Sequence, residues 1–284
     1  MGILYMLLAS VCFATMSAFI KGVGQGLPLP ELVFFRCLLS LPVLFLIVRY
    51  RKRPYVVKAK KLILVRTLFG MSAMFCFFYA LTHMPLADCI FLGRTQPLLL
   101  ALFAPFVVGE KAPFAAWIAI VTGIGGVILI MQPETAWSFA AWIAMAGAAA
   151  AAMAHLMVRR LNATDFPLTI VLNFTLLTCV FSGIFVMPLF VVPSAFQLLM
   201  LICVAFFASL GQLFMTLAYQ QDRAPAVASA SYASVILSVV YGYLIWEEMP
   251  DPFTWAGGLL IVSGGILLLK SRFHVNEPPS PAAT

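Results

Sequence analysis

Apolar residues occur along this chain in runs of about twenty, separated by short stretches that hold most of the charges and prolines. A bilayer core about 30 Å thick needs roughly 20 apolar residues per helix, so each run predicts a transmembrane helix. Prolines at boundaries such as Pro85, Pro167 and Pro252 agree with helices that restart at their first turn. Ten spans are predicted: 2–22, 30–50, 63–83, 86–108, 112–132, 138–158, 168–192, 197–219, 226–246 and 253–271.

Composition supports this interpretation and excludes a soluble fold. The 284 residues are 63% hydrophobic and 10% charged, with a mean hydropathy of +1.06, well outside the range of soluble domains. We therefore expect an all-α, multi-pass membrane protein with no large soluble domain. The first span is too long for a signal peptide and lacks a basic n-region.

Lysine and arginine predict the orientation, because cytoplasmic loops are enriched in them. The loop "RYRKRPYVVKAKK" carries seven of the seventeen. If that loop is cytoplasmic, the loops on the opposite side keep only Lys21, and both termini are cytoplasmic. The net charge of +7 then serves topology and contact with membrane lipids, and we expect no nucleic-acid partner.

The chain contains an internal repeat. "YALTHMPLAD" at 79–88 resembles "YQQDRAPAVA" at 219–228, so that Pro85 matches Pro225 at a displacement of 140. Three further pairs follow at a displacement of 138: Glu110 and Glu248, Trp117 and Trp255, and Gly126 and Gly264.

The repeat divides the chain into a first five-helix unit over 1–134 and a second over 135–272, followed by a proline-rich tail, 273–284, that we expect to be disordered. Because five is odd, the second unit enters the membrane from the opposite side. We thus predict ten transmembrane helices arranged as two inverted five-helix repeats. Inverted repeats are typical of secondary transporters.

At this point the sequence resembles the drug/metabolite transporter superfamily, in particular its EamA-type ten-helix exporters. The resemblance rests on "FFYALTHMPLADCIFLGRTQPLLLALFAPFVVGEK" with "GIGGVILI", and on "AYQQDRAPAVASASYASVILSVVYGYLIWEE" with "SGGILLL". It implies export of amino acids, aromatic ones among them, or of related metabolites across a bacterial inner membrane. The second half departs from the first by carrying two acids, Glu247 and Glu248, where the first has Glu110.

Arg94 is the main candidate for a substrate-site residue. It lies nine residues after Pro85, about 13 Å into the fourth span and near the midplane. A central arginine costs about 2.5 to 3.5 kcal/mol on insertion scales, so it should face protein or a cavity. Its repeat mate is Ser234. The guanidinium could bind a substrate carboxylate in bidentate fashion, or pair internally with Asp88 or a glutamate; both alternatives stay open.

The other candidates are polar or aromatic residues inside spans. Phe75 and Tyr79 share one helical face, where they could stack on an aromatic substrate or simply pack. Gln96 precedes Pro97, which is expected to bend the helix. For Arg36 we expect an ion pair with Asp88 or Glu31. The complete predicted site is Phe75, Tyr79, Arg94, Gln96, His155, Gln212 and Ser234, with Tyr232 as a weaker candidate.

The function predicted is export of a small metabolite by alternating access between the two halves. No catalytic set, cofactor or metal site is predicted, since the six cysteines are scattered through apolar spans without ligand spacing. No nucleotide-binding loop is present. The alternatives are import or exchange of a nucleotide-like metabolite and a non-transporting sensor or structural subunit. A monomer or weak homodimer is expected.

Overall fold

The computed structural model describes residues 2–24, 26–107, 114–131, 139–161, 163–221 and 230–270, and all its regular secondary structure within these residues is helical. Glu110 and the tail 273–284 lie outside these residues. The helices are α1 (Gly2–Val23), α2 (Leu29–Tyr50), α3 (Lys60–His83), α4 (Leu86–Gly93), α5 (Gln96–Val107), α6 (Phe114–Met131), α7 (Phe139–Leu161), α8 (Pro167–Val186), α9 (Ala195–Gln221), α10 (Ala233–Trp246) and α11 (Pro252–Lys270).

Eight helical segments in the described residues are long and apolar enough to cross a membrane, with α4 and α5 together counted as one of them. The shorter α10 and α11 are apolar as well. Large side chains on the outer faces, such as Phe106, Val121 and Ile236, are more than half exposed, as lipid-facing residues are. The predicted multi-pass helical membrane fold is confirmed. The side of the membrane that holds the termini stays a prediction.

One predicted span is interrupted. The sequence pattern predicts a single helix over 86–108, whereas the structure ends α4 at Gly93, forms a turn at Arg94 and Thr95, and begins α5 at Gln96. Pro97 explains the break: its nitrogen carries no hydrogen for the carbonyl of Gly93, and its ring clashes with that carbonyl. The sequence predicted a bend at this proline. In the structure α4 ends instead, at Gly93, one turn before Pro97.

The helices pack in pairs that join the first part of the chain to the second. α1 runs along α9, α2 along α8, α3 along α7, α6 along α11, and α4 against α10. The largest apolar core lies where these pairs meet, with Ile20, Leu81, Leu86, Leu201 and Ile261 fully buried. The two parts thus form one body.

Glycines permit the closest of these contacts. A Cβ atom on Gly126 of α6 would lie 2.5 Å from the carbonyl oxygen of Gly257 in α11, and one on Gly257 would lie 2.5 Å from the carbonyl oxygen of Gly126. On Gly264 it would lie 2.8 Å from the carbonyl of Ala119. These glycines allow backbone-to-backbone packing inside the membrane. The stretches "GIGGV" (123–127) and "GGLLIVSGG" (257–265) thus form a close helix contact.

A glycine comparison within α6 tests this packing. Gly126→Ala places a methyl group against backbone that cannot rotate away, so we expect a loss of about 1 to 3 kcal/mol of stability. Gly125→Ala is the matched control, because nothing lies within 4 Å of a Cβ atom there. Thermal unfolding of both variants in detergent measures the difference, and equal melting temperatures would contradict the close contact.

Candidate functional site

Arg94 lies in the turn between α4 and α5 and reaches across to the start of α10. Its Nη1 donates to Ser231 Oγ at 3.2 Å, and its Nη2 donates to Ser234 Oγ. Both serines are buried, at 8% and 2% exposure. The Ser234 hydroxyl in turn donates to the carbonyl of Ser231 at 3.0 Å. The structure therefore brings together Arg94 and its repeat mate Ser234, which are both candidates from the sequence.

The segment opposite Arg94 is itself a helix break. Ala230 is helical, Ser231 and Tyr232 form a turn, and α10 begins at Ala233. The carbonyls of Ser231 and Tyr232 accept the N–H groups of Ser234 and Val235, three residues on, so the backbone here bonds as a turn. Such departures from a regular helix are tolerated at membrane depth only against protein or a cavity. Two breaks face each other here, and the guanidinium of Arg94 links them.

Gln96 and His155 form a second polar contact between α5 and α7. The ring nitrogen Nδ1 of His155 donates to the carbonyl of Ala151 at 2.7 Å, and the amide nitrogen of Gln96 lies 3.1 Å from that same ring nitrogen. Both residues were predicted from the sequence, and the structure places them together.

Phe75 and Tyr79 of α3 are engaged with other rings. Tyr79 stacks on His83 with 4.0 Å between ring centroids and meets the edge of Phe139. Phe75 meets the edge of Phe185 at 6.5 Å. These contacts are packing contacts, so the aromatic wall predicted along this face stays a prediction.

Gln212 lines a cavity between α2, α3, α8 and α9, in which the centres of water molecules can occupy a volume of about 50 Å³. Two arginines, several small polar residues and apolar residues line it. The lining consists of Arg36, Ser40, Leu44, Arg66, Val171, Phe174, Thr175, Ala208, Ser209 and Gln212. The cavity is partly open to the surroundings.

The expected ion pair of Arg36 is wrong. Its Nη1 contacts the sulfur of Met74 at 3.5 Å, and its buried Nε has no hydrogen-bond partner in the described structure. Glu31 instead accepts the backbone N–H of Val191 at 3.3 Å. The ion pair does not form because the side chain of Arg36 turns toward the cavity, away from the end of α2 where Glu31 lies.

Sequence reasoning missed Arg66. The residue lies six positions into α3, close enough to the cytoplasmic loop of the predicted topology to look like an interfacial anchor. Its guanidinium instead lies over the ring of Phe174, 3.4 Å from the centroid. One feature of the sequence could have indicated this position: Gly70, one turn later, has no side chain and so leaves room for the guanidinium of Arg66.

An ion pair joins the ends of α1 and α10. Lys21 Nζ donates to Glu248 Oε1 and, at 3.0 Å, to the carbonyl of Met84. Glu248 Oε2 accepts the N–H of Leu86 at 3.0 Å, at the first turn of α4. Glu247 has a left-handed backbone with φ of 58° and is exposed, so of the two acids Glu248 makes the structural contact.

Metal-ligating side chains do not assemble in the described residues: no group of three His, Cys, Asp or Glu is positioned to hold an ion. All six cysteines are free. The polar contacts described above are therefore made by arginine, serine, glutamine and histidine side chains and by one Lys–Glu pair.

Comparison with known proteins assigns this architecture. The family model described as "EamA-like transporter family" matches residues 1–132 and again residues 138–270. The chain belongs to the EamA-like transporter family. The predicted resemblance to the drug/metabolite transporter superfamily is confirmed, and this is a family of membrane transporters rather than enzymes.

Curated relatives of this EamA-like protein cover nearly the whole chain. A pseudopaline exporter of Pseudomonas aeruginosa is 31% identical over 274 residues, 95% of this chain and 96% of the relative. An S-adenosylmethionine uptake transporter of Rickettsia prowazekii is 25% identical over 95% of this chain and 93% of its own length. A riboflavin transporter of Rhizobium johnstonii is 26% identical over 98% and 94%.

A solved crystal structure shares the fold, with a TM-score of 0.67 at 20% identity over 94% of this chain and 95% of that one. At that identity the likeness concerns the arrangement of helices alone.

The Lys21–Glu248 pair of this EamA-like transporter can be tested with the neighbouring acid as control. Glu248→Gln leaves the ammonium of Lys21, whose side chain is 6% exposed, without its counter-charge. We expect a loss of about 1 to 3 kcal/mol of stability. Glu247→Gln removes the same charge from an exposed position and should change little. The melting temperatures of the two variants in detergent measure the difference. If Glu247→Gln lowered the melting temperature as much as Glu248→Gln, the assignment of Glu248 as the partner of Lys21 would be contradicted.

Proposed function

We propose that this protein is a secondary transporter that exports small metabolites, amino acids and related compounds foremost, across the bacterial inner membrane by alternating access. The observation that carries the proposal is the meeting of two helix breaks, bridged by Arg94 to Ser231 and Ser234. Transporters of this kind hold substrate near the bilayer midplane, where discontinuous helices expose backbone groups. Arg94 lies about 13 Å into its span, at that depth.

Two observations support an inverted repeat as the moving framework. The family model matches each half of the chain separately. Helix α1 packs against α9, and α3 packs against α7. In the proposed repeat α1 corresponds to α7 and α3 to α9, so replacing each helix by its counterpart turns the first pair into the second. Such an arrangement lets each half take the shape of its counterpart, which opens the site to the opposite side.

In the predicted topology the Lys21–Glu248 pair lies on the outer side, where it ties α1, α4 and α10 together. An outward-facing state requires these three helix ends to separate. We therefore assign the pair as an outer closure of the conformation described, and its rupture as one step of substrate release.

Substrate recognition in this proposal begins with a carboxylate. A guanidinium offers a planar fork of donors that matches a carboxylate, and two serine hydroxyls already orient Arg94. Amino acids, aromatic ones included, carry such a carboxylate. Gln96 and His155 on the neighbouring α5 and α7 would contact the remainder of the substrate.

A second candidate is transport of a nucleotide-like metabolite, by import or exchange. The observation that favours it is the presence of S-adenosylmethionine and riboflavin transporters among the relatives. Competition by adenosine compounds, with none by amino acids, would discriminate it. A non-transporting sensor subunit would bind ligand without moving it.

Flux through purified protein tests the proposed function. We expect saturable uptake of at least one labelled compound from a panel of Phe, Trp, Thr, Met and Glu, with riboflavin and S-adenosylmethionine included, into proteoliposomes. Arg94→Ala should lower transport efficiency about 10- to 150-fold, since a charge-assisted hydrogen bond contributes about 1.5 to 3 kcal/mol. Arg49→Ala, at an exposed position of α2, is the control.

The outcomes separate the alternatives. Wild-type flux with normal Arg94→Ala flux would assign Arg94 to helix packing alone. Binding without flux would support the sensor. Absence of both binding and flux with the whole panel would overturn the proposed function.

A further inference from the structure

Two cationic side chains share the cavity between α2, α3, α8 and α9. Arg36 and Arg66 both line it, and their guanidinium groups lie close enough to repel each other. No acidic residue is among the cavity-lining residues, and no carboxylate of the described residues forms an ion pair with either arginine. The cavity thus holds two positive charges that the described protein does not neutralise.

Arg66 is oriented for a ligand. Its guanidinium carbon lies over the ring of Phe174, 3.4 Å from the centroid, and this contact occupies none of the N–H donors as a hydrogen bond. Its Nε and Nη1 are buried without a hydrogen-bond partner in the described residues. Gly70 provides the space, because a Cβ atom there would lie 2.5 Å from Nη1 and 2.8 Å from the Phe174 ring.

Buried charges of like sign are unfavourable, and buried donors without acceptors add to that cost. A water-filled cavity lowers the cost only in part. A ligand with two negative groups removes both terms, because each group can accept two parallel hydrogen bonds from one guanidinium. A substrate ammonium would gain far less, since Ser40, Ser209 and Gln212 offer it neutral oxygens and no carboxylate.

We propose that this cavity binds a substrate with two anionic groups, one on Arg36 and one on Arg66. The inference rests on the proposed transport function and narrows its substrate class; it makes this cavity a second anion site, in addition to the carboxylate site proposed at Arg94. Among amino acids and related metabolites, acidic ones with two carboxylates bind in preference to zwitterions with a single carboxylate. The ring of Phe174 and the side chain of Gln212 contact the part of the substrate between the two acids.

The charge of such a substrate also bears on direction. A bacterial membrane is negative inside, so the potential drives a net anion outward without a coupling ion. Transport of a dianion should therefore be electrogenic, whereas transport of a neutral zwitterion without a coupled ion should not respond to the potential.

Competition and potential test the proposal together. Proteoliposomes of the full chain are given labelled L-glutamate, succinate, glycerol 3-phosphate or L-phenylalanine, at zero potential and at potassium-diffusion potentials of both signs. We expect glutamate or succinate to bind at a concentration at least tenfold lower than phenylalanine, and their uptake to rise when the interior is positive. The glycerol 3-phosphate arm separates a phosphate-bearing substrate from a dicarboxylate.

Variants connect the effect to the two arginines. Arg36→Gln and Arg66→Gln should each lose at least tenfold in apparent affinity for the dianion, and Arg66→Lys should recover part of the loss. Arg49→Gln is the exposed control on α2. If a glutamine variant fails to fold, the proposal is tested by the wild-type protein alone, through the ratio of its affinity for the dianion to its affinity for the zwitterion.

Saturable uptake of phenylalanine at least as tight as that of the dianions, or dianion affinity unchanged in a folded Arg36→Gln or Arg66→Gln, would overturn this inference and leave the transporter intact. No saturable flux of these probes or of the panel above would overturn the proposed function as well.

Discussion

The hydrocarbon core offers no hydrogen-bond partner, and this constraint governs where the chain can depart from a continuous helix. Ten apolar segments satisfy it mainly with hydrogen bonds inside their helices. The interruptions at Arg94 and Thr95 and at Ser231 and Tyr232 are therefore informative, because backbone that leaves the regular helix is tolerated at membrane depth only where protein or a cavity shields it from lipid. That both lie on packed partners, α4 with α10, places the polar chemistry at the junction of the two parts.

Close packing elsewhere holds this junction in place. The α6 and α11 helices meet through glycines at carbonyl contact distance, which makes their pairing specific in an environment where apolar surface alone does not drive helices together. The Lys21–Glu248 pair fixes the ends of α1, α4 and α10 in a similar way. Rigid pairs around a broken, polar centre are what a carrier that rocks between two shapes requires.

Hydropathy was sufficient to predict the spans, because each helix must bury about twenty residues whatever its neighbours are. Side-chain partners required the structure. The repeat indicated that Arg94 and Ser234 are corresponding residues, but not that they are hydrogen-bonded to each other. Gln212 was recognised as a polar residue deep in a span. Arg36 was assigned to an ion pair and Arg66 was overlooked, because the direction in which a long side chain turns depends on the helices packed against it.

The proposed inverted repeat is symmetric in its helices and asymmetric in its charges. Arg36 corresponds to Asn173 and Arg94 to Ser234, so the cationic groups come from the first half and their neutral counterparts from the second. A symmetric framework serves alternation, since both halves must adopt both shapes. An asymmetric set of charges serves recognition, since a substrate then binds in one orientation in both states. Charges duplicated on both halves would double the repulsion already present between Arg36 and Arg66, and the described fold offers no acid there to offset it.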